Sequence, residues 1–237
     1  MKIEQICAQA QRHRKRTGLP LVTIGYAQSL DGSITTRRGV PLALSSRESL
    51  RLWHRLRAYH DAILVGIGTI LADDPQLNVR LVRGADPQPV ILDTKLRFPL
   101  KALALNNNRQ PWIVTTHKSS SKRKQMLESH GAQVIRLKSG RTGWVDLTAL
   151  LKLLAERGID SVLVEGGARV ITSFLKARLA DRFVITLTPF FIGGVHAVER
   201  LLTEKKSNKH IQLKRARIMG DNWYGRDLVL WGALEQK

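Results

Sequence analysis

The 237-residue chain is short of several things, and each shortage removes a class of answer. Cys7 is its only cysteine, so neither an intramolecular disulfide nor a cysteine-built zinc cluster is available, and a reducing compartment fits. No apolar run nears the ~18 residues that a membrane-spanning helix requires. The opening stretch MKIEQICAQAQRHRKRTG has no uninterrupted apolar segment and no small-residue cleavage pattern, which argues against a secretory signal. A cytoplasmic location is therefore expected. Aromatic residues make up 5% of the chain, and acids are scarce, with 19 Asp and Glu against 39 Lys and Arg and a net charge of +20. Such a field attracts nucleic acid or concentrates a small polyanionic ligand, unless the charge is simply solvated surface. The basic runs Arg12–Arg16, His117–Lys124 and Lys205–Arg217 interleave no aromatics that would stack on bases, so nucleic-acid binding is not expected despite the charge.

What is present is the composition of a globular domain, 43% hydrophobic and 24% charged. Residues 2–16 read as a basic helix stopped by Thr17, Gly18 and Pro20, a helical extension over 1–20 ahead of a single domain over 21–237. Leu21–Gln28 reads as a strand entering the core, followed by the loop SLDGSITTRRGVP. A helix opens at Ser45 or Ser46 as N-cap, with Glu48 or Ser49 three residues on, and sets Leu50, Trp53 and Leu56 along one face. Strands are predicted from Asp61 and at Pro89–Asp93, Pro111–Thr116, Ala132–Leu137 and Asp160–Gly167. Helices are predicted at Ser121–Ser129, at Asp146–Glu156 and along ARVITSFLKARLA. DRFVITLTPFFIGG then gives a strand and loop, and the segment from His210 predicts two alternating strands joined by a turn near Gly220–Asn222. The pattern predicts one α/β domain, a mixed and mostly parallel sheet flanked by helices and finished by a C-terminal antiparallel hairpin.

Chemistry concentrates at two glycine-bearing strand ends. In VGIGTILADDPQLNVR (Val65–Arg80) a buried strand emerges at Gly66, at the carboxyl edge where α/β sheets hold ligands. Gly66 and Gly68 remove side chains on either side of Ile67, so backbone can approach a flat or phosphorylated ligand, or merely turn tightly into a helix. Thr69 is placed to cap that helix, and Pro75 to end it. VLVEGGARVITSFL repeats the arrangement. Its Gly167–Val170 amides suit a phosphate at the positive end of a helix. Glu165 at the lip reads either as an acceptor for an amide-like ligand edge or as a partner of loop amides. Neither stretch is G-x-G-x-x-G, which weakens a Rossmann reading, yet two such loops on one sheet suit a dinucleotide. No metal site is expected.

SLDG (Ser29–Gly32), Leu56–Arg80, VILDTKLRFP (Val90–Pro99), VLVEGGARVITSFL (Val162–Leu175) and LTPFFIGG (Leu187–Gly194) together resemble the pyrimidine reductase of riboflavin biosynthesis. This is the reductase half of a bifunctional deaminase-reductase, also known as a stand-alone enzyme. The resemblance runs from Leu21 to Leu230 and implies a dihydrofolate-reductase-like fold with NADPH as hydride donor; a homodimer is expected. It implies reduction of a ribosylaminopyrimidine 5′-phosphate to its ribitylamino form, with hydride delivered to the anomeric carbon of a ring-opened ribose. Position by position it assigns Gln28, Thr69, Asp73, Thr94 and the loop Gly167, Ala168, Arg169, Val170, Ile171, Thr172 and Ser173 to the cofactor. Arg57, Leu77, Arg80 and Glu165 fall on the substrate side. Two arginines suit a phosphate, and a glutamate suits the N–H groups of a pyrimidine. Asp73 and Glu165 are the carboxylates open to proton transfer, with water as the alternative. Thr116, Lys118, Ser119 and Lys122 are expected to seat the cofactor's 2′-phosphate.

The chain departs from the family at Gly25, where members often carry lysine or asparagine, and at Pro41 and Ala43, where bacterial members often carry a polar residue and an aromatic. The zinc-deaminase pattern of H-x-E with P-C-x-x-C is missing. Two other readings stand beside this one: a pterin or folate reductase on the same fold, and a nucleic-acid-binding protein on a retired reductase fold.

Overall fold

A computed structural model describes residues 3–140, 142–198 and 215–235. Most of the basic run Lys205–Arg217 and the predicted start of the closing hairpin, from His210, lie outside them. In chain order the elements are α1 (Ala10–Thr17), β1 (Leu21–Ser29), β2 (Ser33–Thr35), α2 (Arg47–Tyr59), β3 (Ala62–Gly66) and α3 (Ile67–Asp73). Then come β4 (Gln88–Leu92), β5 (Trp112–Thr116), α4 (Ser121–Ser129), β6 (Gln133–Leu137), α5 (Leu147–Glu156), β7 (Ser161–Gly166) and α6 (Ala168–Lys176). The chain ends in β8 (Arg182–Thr188), β9 (Val195–His196), β10 (Ala216–Tyr224) and β11 (Asp227–Leu234).

Among the described residues, nine strands form one sheet in the order β10-β11-β8-β1-β7-β3-β4-β5-β6. From β8 to β6 the neighbours run parallel, while β11 and β10 are antiparallel, as the apolar strands and closing hairpin predict. Strand periodicity divides the core in two. Val22, Ile24, Leu64, Val162 and Val164 pack under α5 and α6 with Leu150, Leu154, Ile171 and Phe174. Ile63, Val65 and Ile91 pack on the other face with Ile70 and Leu127, and Leu163 with Leu52, Trp53 and Leu56 of α2. A ligand at the strand ends is thus approached by α2 and α3 from one side and by α6 from the other.

The structure corrects several boundaries. The predicted helix over 2–16 is a 3-10 turn at Ile3–Gln5 followed by α1 from Ala10. Gln9 supplies no side-chain cap, and Ile3 and Ile6 join the buried cluster around Leu56, Val184 and Trp231; that burial outweighs helical continuity. The loop after β1 is not wholly irregular, because β2 pairs with β9. Thr69 does not cap α3, which starts two residues earlier behind Gly66. The helix along ARVITSFLKARLA stops at Lys176, where Arg178 turns to φ 55° and the Leu179 N–H donates to the Phe174 carbonyl at 3.0 Å. The hairpin turn lies at Gly225–Arg226, since Gly225, with φ 63°, supplies the left-handed first position of a two-residue loop. Gly220 instead leaves room for the Trp231 ring, which a Cβ there would meet at 2.4 Å.

Candidate active site

The carboxyl ends of β1, β7, β3 and β4 open into a cleft of about 1330 Å³. Pockets for one small ligand usually occupy ~300–1,000 Å³, so this one has room for two. One flank is α2, presenting Trp53, His54 and Arg57, with Arg80 beside them. The other is α6, presenting Arg169, Thr172, Ser173 and Lys176, with Trp144 on the loop before α5. Between them lie Gly66–Thr69, Asp73, Thr94 and Gly166–Ala168.

The two glycine loops meet there. A Cβ on Gly66 would strike Val170 Cγ2 at 2.8 Å, so this glycine lets the start of α6 close on the end of β3. Gly166 has φ 121°, and a Cβ on Gly167 would stand 3.5 Å from the Thr69 hydroxyl. Gly68 differs: no described residue lies within 4 Å of where its side chain would be. No packing requires that glycine, and its missing side chain widens the cleft.

Glu165 owes its position to register. β3 pairs Leu64 with Val164 but Val65 with Gly166, so Glu165 is an extra residue in β7, a bulge at the cleft. Its Oε1 and Oε2 accept from Arg57 Nε and Nη2, each at 2.7 Å, a bidentate pair mostly shielded from solvent. Arg57 Nη1 also donates to the Asn78 carbonyl at 3.2 Å. Burial disfavours the Arg57 charge, but the Glu165 carboxylate more than offsets this and raises its pKa. The two residues, expected to serve substrate separately, are thus one unit in which Arg57 orients the carboxylate.

Arg80 remains more open. Its Nη1 donates to Asn78 Oδ1 at 3.2 Å, and its backbone N–H donates to His54 Nδ1 at 3.1 Å. Desolvation and then the Arg57 charge lower its pKa, the field of a guanidinium that an anion would relieve. His54 is buried, and desolvation followed by Arg57 and Arg80 pushes it down to about 4, consistent with a neutral ring accepting at Nδ1. Asp73 lines the cleft as an exposed residue whose carboxyl is partly desolvated, which raises its pKa.

Of the other expected site residues, Thr94 and the whole run Gly167–Ser173 line the cleft, although Ile171 is also core. Gln28 and Leu77 do not line it. Leu77, at φ 56°, is buried with Ile63 and Phe98, and the Gln28 carbonyl accepts from the Thr188 hydroxyl at 3.1 Å. The expected 2′-phosphate seat is also outside the lining: Thr116 is buried, and Ser119 is engaged by Arg136, whose Nη2 donates to its carbonyl at 2.9 Å. Arg97 and Arg169 are the cations near Thr94 and Gly167 in sequence that do line the cleft. Pro41 lines it and Ala43 does not. Gly25 lines it beneath Trp53, whose ring a Cβ would meet at 2.5 Å. Sequence reading missed the cleft roles of His54, Trp53, Arg97 and Trp144; for the first two the signal was their spacing of three and four residues before Arg57 on one helix.

SLDG braces the segments that lead to Ile34 and Val195 in the cleft wall. Asp31 accepts from the Ile192 and Gly193 amides at 3.0 and 2.7 Å and from the Ser33 hydroxyl at 2.9 Å, and also from Ser29. The Ser29 hydroxyl first and the Gly193 amide next hold its carboxyl far below the usual carboxylate range. Among the described residues, no His, Cys, Asp or Glu group of three or more is arranged to hold a metal ion, and no helix is long and apolar enough to cross a membrane.

The riboflavin biosynthesis protein RibD of Aquifex aeolicus is 39% identical to the chain over 197 residues, covering 79% of this chain and 53% of that protein, so the chain spans about half its length. The 2,5-diamino-6-ribosylamino-4(3H)-pyrimidinone 5′-phosphate reductase of Archaeoglobus fulgidus is 37% identical over 185 residues, covering 74% of this chain and 83% of that protein. In fold the chain is similar to Acinetobacter baumannii RibD, with a TM-score of 0.81 at 24% identity over 98% of this chain and 62% of that one. The family pattern of the RibD C-terminal domain matches residues 20–224. A bulged glutamate paired with an α2 arginine, facing a glycine-lined helix start across one cleft, is thus carried by a chain that belongs to the RibD C-terminal domain family.

Proposed function

We propose that this chain reduces the ribosyl side chain of a ribosylaminopyrimidine 5′-phosphate, the deaminated or the 2,5-diamino form, with NADPH as reductant, in riboflavin biosynthesis. The observation that carries the reading is the Arg57–Glu165 unit on one flank of a two-ligand cleft, opposite the glycine-lined start of α6. Glu165, held by Arg57, presents acceptor oxygen to the N–H edge of a pyrimidine, and Arg80 holds the phosphate. The chain's residues fit the cofactor: Gly68 leaves open space in the wall, Thr69 and Thr94 offer hydroxyls, and α6 starts behind Gly167 without a side-chain cap. When bound, the reduced nicotinamide supplies the hydride. The protein's part is to orient two anions against one another and to shield them from water. With both Glu165 oxygens engaged by Arg57, Asp73, whose pKa is raised, is the better of the two carboxylates to carry a proton.

The test is Arg80→Ala assayed with both pyrimidine substrates. Loss of a charge-assisted phosphate contact of about 2 kcal/mol should raise the substrate KM roughly thirtyfold while the NADPH KM moves little. Equal changes in both constants overturn the assignment, and turnover of a pterin in place of either pyrimidine favours the reductase of the other substrate class. A homodimer belongs to the same reading, supported by Ile218 and Trp223, 60% and 65% exposed on the edge strand β10. Sedimentation of the wild type against Trp223→Glu checks it.

A further inference from the structure

Trp144 is 53% exposed, yet it lines the cleft and sits on a built turn. The Gly140 N–H donates to the Trp144 carbonyl at 2.8 Å, the Gly143 N–H donates to the Gly140 carbonyl at 3.0 Å, and Ser139 bridges Val145. Gly143, at φ 80°, supplies the left-handed step just before the indole. On the other side Val145 is buried with Leu150 and Leu154, and Asp146 caps α5 by accepting from the Thr148 and Ala149 amides at 2.9 and 3.1 Å. An indole left open on so well anchored a backbone is a platform, because its large apolar face gains free energy as soon as a flat partner covers it.

The surroundings narrow the partner. Trp144 shares its flank with Arg169 and Lys176 of α6, while Glu165, Arg57 and Arg80 occupy the side of α2. A ligand on this flank is therefore flat, aromatic and attached to anionic groups. Within the two ligands of the proposed reaction, that description fits the adenosine half of the dinucleotide, since Glu165 on the far flank is the feature that suits the pyrimidine.

We propose that Trp144 stacks on the adenine ring of the nicotinamide cofactor and thereby sets affinity for the dinucleotide without touching the reacting atoms; this rests on the cofactor reading above. Its test is calorimetric titration of the full chain with three probes: NADPH, reduced nicotinamide mononucleotide, which lacks the adenosine half, and 2′,5′-ADP, which lacks the nicotinamide. Trp144→Ala should weaken NADPH and 2′,5′-ADP about tenfold or more and leave the mononucleotide unchanged, and Trp144→Phe should keep most of the affinity. If Trp144→Ala binds NADPH as tightly as wild type, or loses the mononucleotide in equal measure, the adenine seat is refuted while the cofactor reading stands. If the wild-type protein binds none of the three, both fall together.

Discussion

At the scale of single residues, the cleft is shaped as much by missing side chains as by those present. Gly25 and Trp53 form a size-matched pair, for a Cβ at position 25 would lie 2.5 Å from the Trp53 ring and 3.3 Å from Leu163 Cδ1. A lysine or asparagine at this position would thus meet a steric block in this chain: an indole from α2 fills the volume. Gly25→Asn should cost about 1–3 kcal/mol by overpacking, and Trp53→Leu in the same chain should recover much of it. Urea unfolding of the two single variants and the double variant checks this, and strictly additive losses would defeat it. Gly68 presents the opposite case. It sits inside α3 with open space at its side-chain position, so Gly68→Ala should stabilise the fold by up to about 1 kcal/mol through helix propensity. The same methyl should weaken NADPH binding, because the space it takes belongs to the cleft. A variant that melts higher and binds the cofactor undiminished would return Gly68 to a mere turn residue.

At the scale of elements, what was legible in the sequence was what period and punctuation carry. Apolar runs such as Ala62–Val65 and Val162–Val164 are buried on both faces and read as central parallel strands, and α4 spans Ser121–Ser129 as the polar pattern predicts. What was not legible depends on partners distant in sequence. Ile3 and Ile6 leave a helix because α2 and β11 bring a hydrophobic cluster to them, and β2 forms because β9 arrives beside it. The bulge at Glu165 is equally invisible, since it is a mismatch between β7 and β3 and exists in neither segment alone. Leu77, which the resemblance assigns to the substrate, has its side chain in the core, a placement set by partners outside its own segment.

The junction of α2 with β1 carries a pH dependence of its own. His60 is fully buried, its Nδ1 meeting the Leu56 carbonyl at 2.7 Å and its Nε2 the Thr23 hydroxyl at 2.9 Å. Burial pushes it from 6.5 down to about 4, so the fold refuses a proton that the unfolded chain accepts. The resulting stability is complete above the unfolded value and declines as pH falls from 6.5 toward 4, by something on the order of 3 kcal/mol. His54 titrates in the same direction and window. Asp31, held low, acts further into acid, below the ordinary carboxylate value. Denaturant unfolding at a series of pH values should therefore show a loss beginning near neutrality, and His60→Gln, less stable at neutral pH, should show a shallower decline. An unchanged slope in that variant would assign the acid sensitivity elsewhere.

At the scale of the whole molecule, the net charge of +20 is the feature with two competing uses. Arg38, Arg57, Arg80, Arg97, Arg169 and Lys176 line the cleft against the carboxylates Asp73 and Glu165, so the molecule's excess of cations extends into the site itself. A field focused in a low-dielectric cleft raises the encounter rate of an anion more than it slows its escape, and salt screens it over a Debye length of about 8–10 Å. NADPH carries a phosphate that NADH lacks. Stopped-flow association at rising ionic strength should therefore show a steeper fall for NADPH than for NADH, with dissociation of both changing far less. Arg97→Gln combined with Arg169→Gln should bring the two salt slopes together if these cations, and not Lys118 and Lys122, meet the 2′-phosphate. Random duplex DNA supplies the control. If the charge serves the reductase cleft, any binding to DNA should be weak, salt-sensitive and reduced by saturating NADPH. Tight binding indifferent to NADPH, with equal salt slopes for the two dinucleotides, would instead assign the charge to nucleic acid and strip the cleft of its steering role.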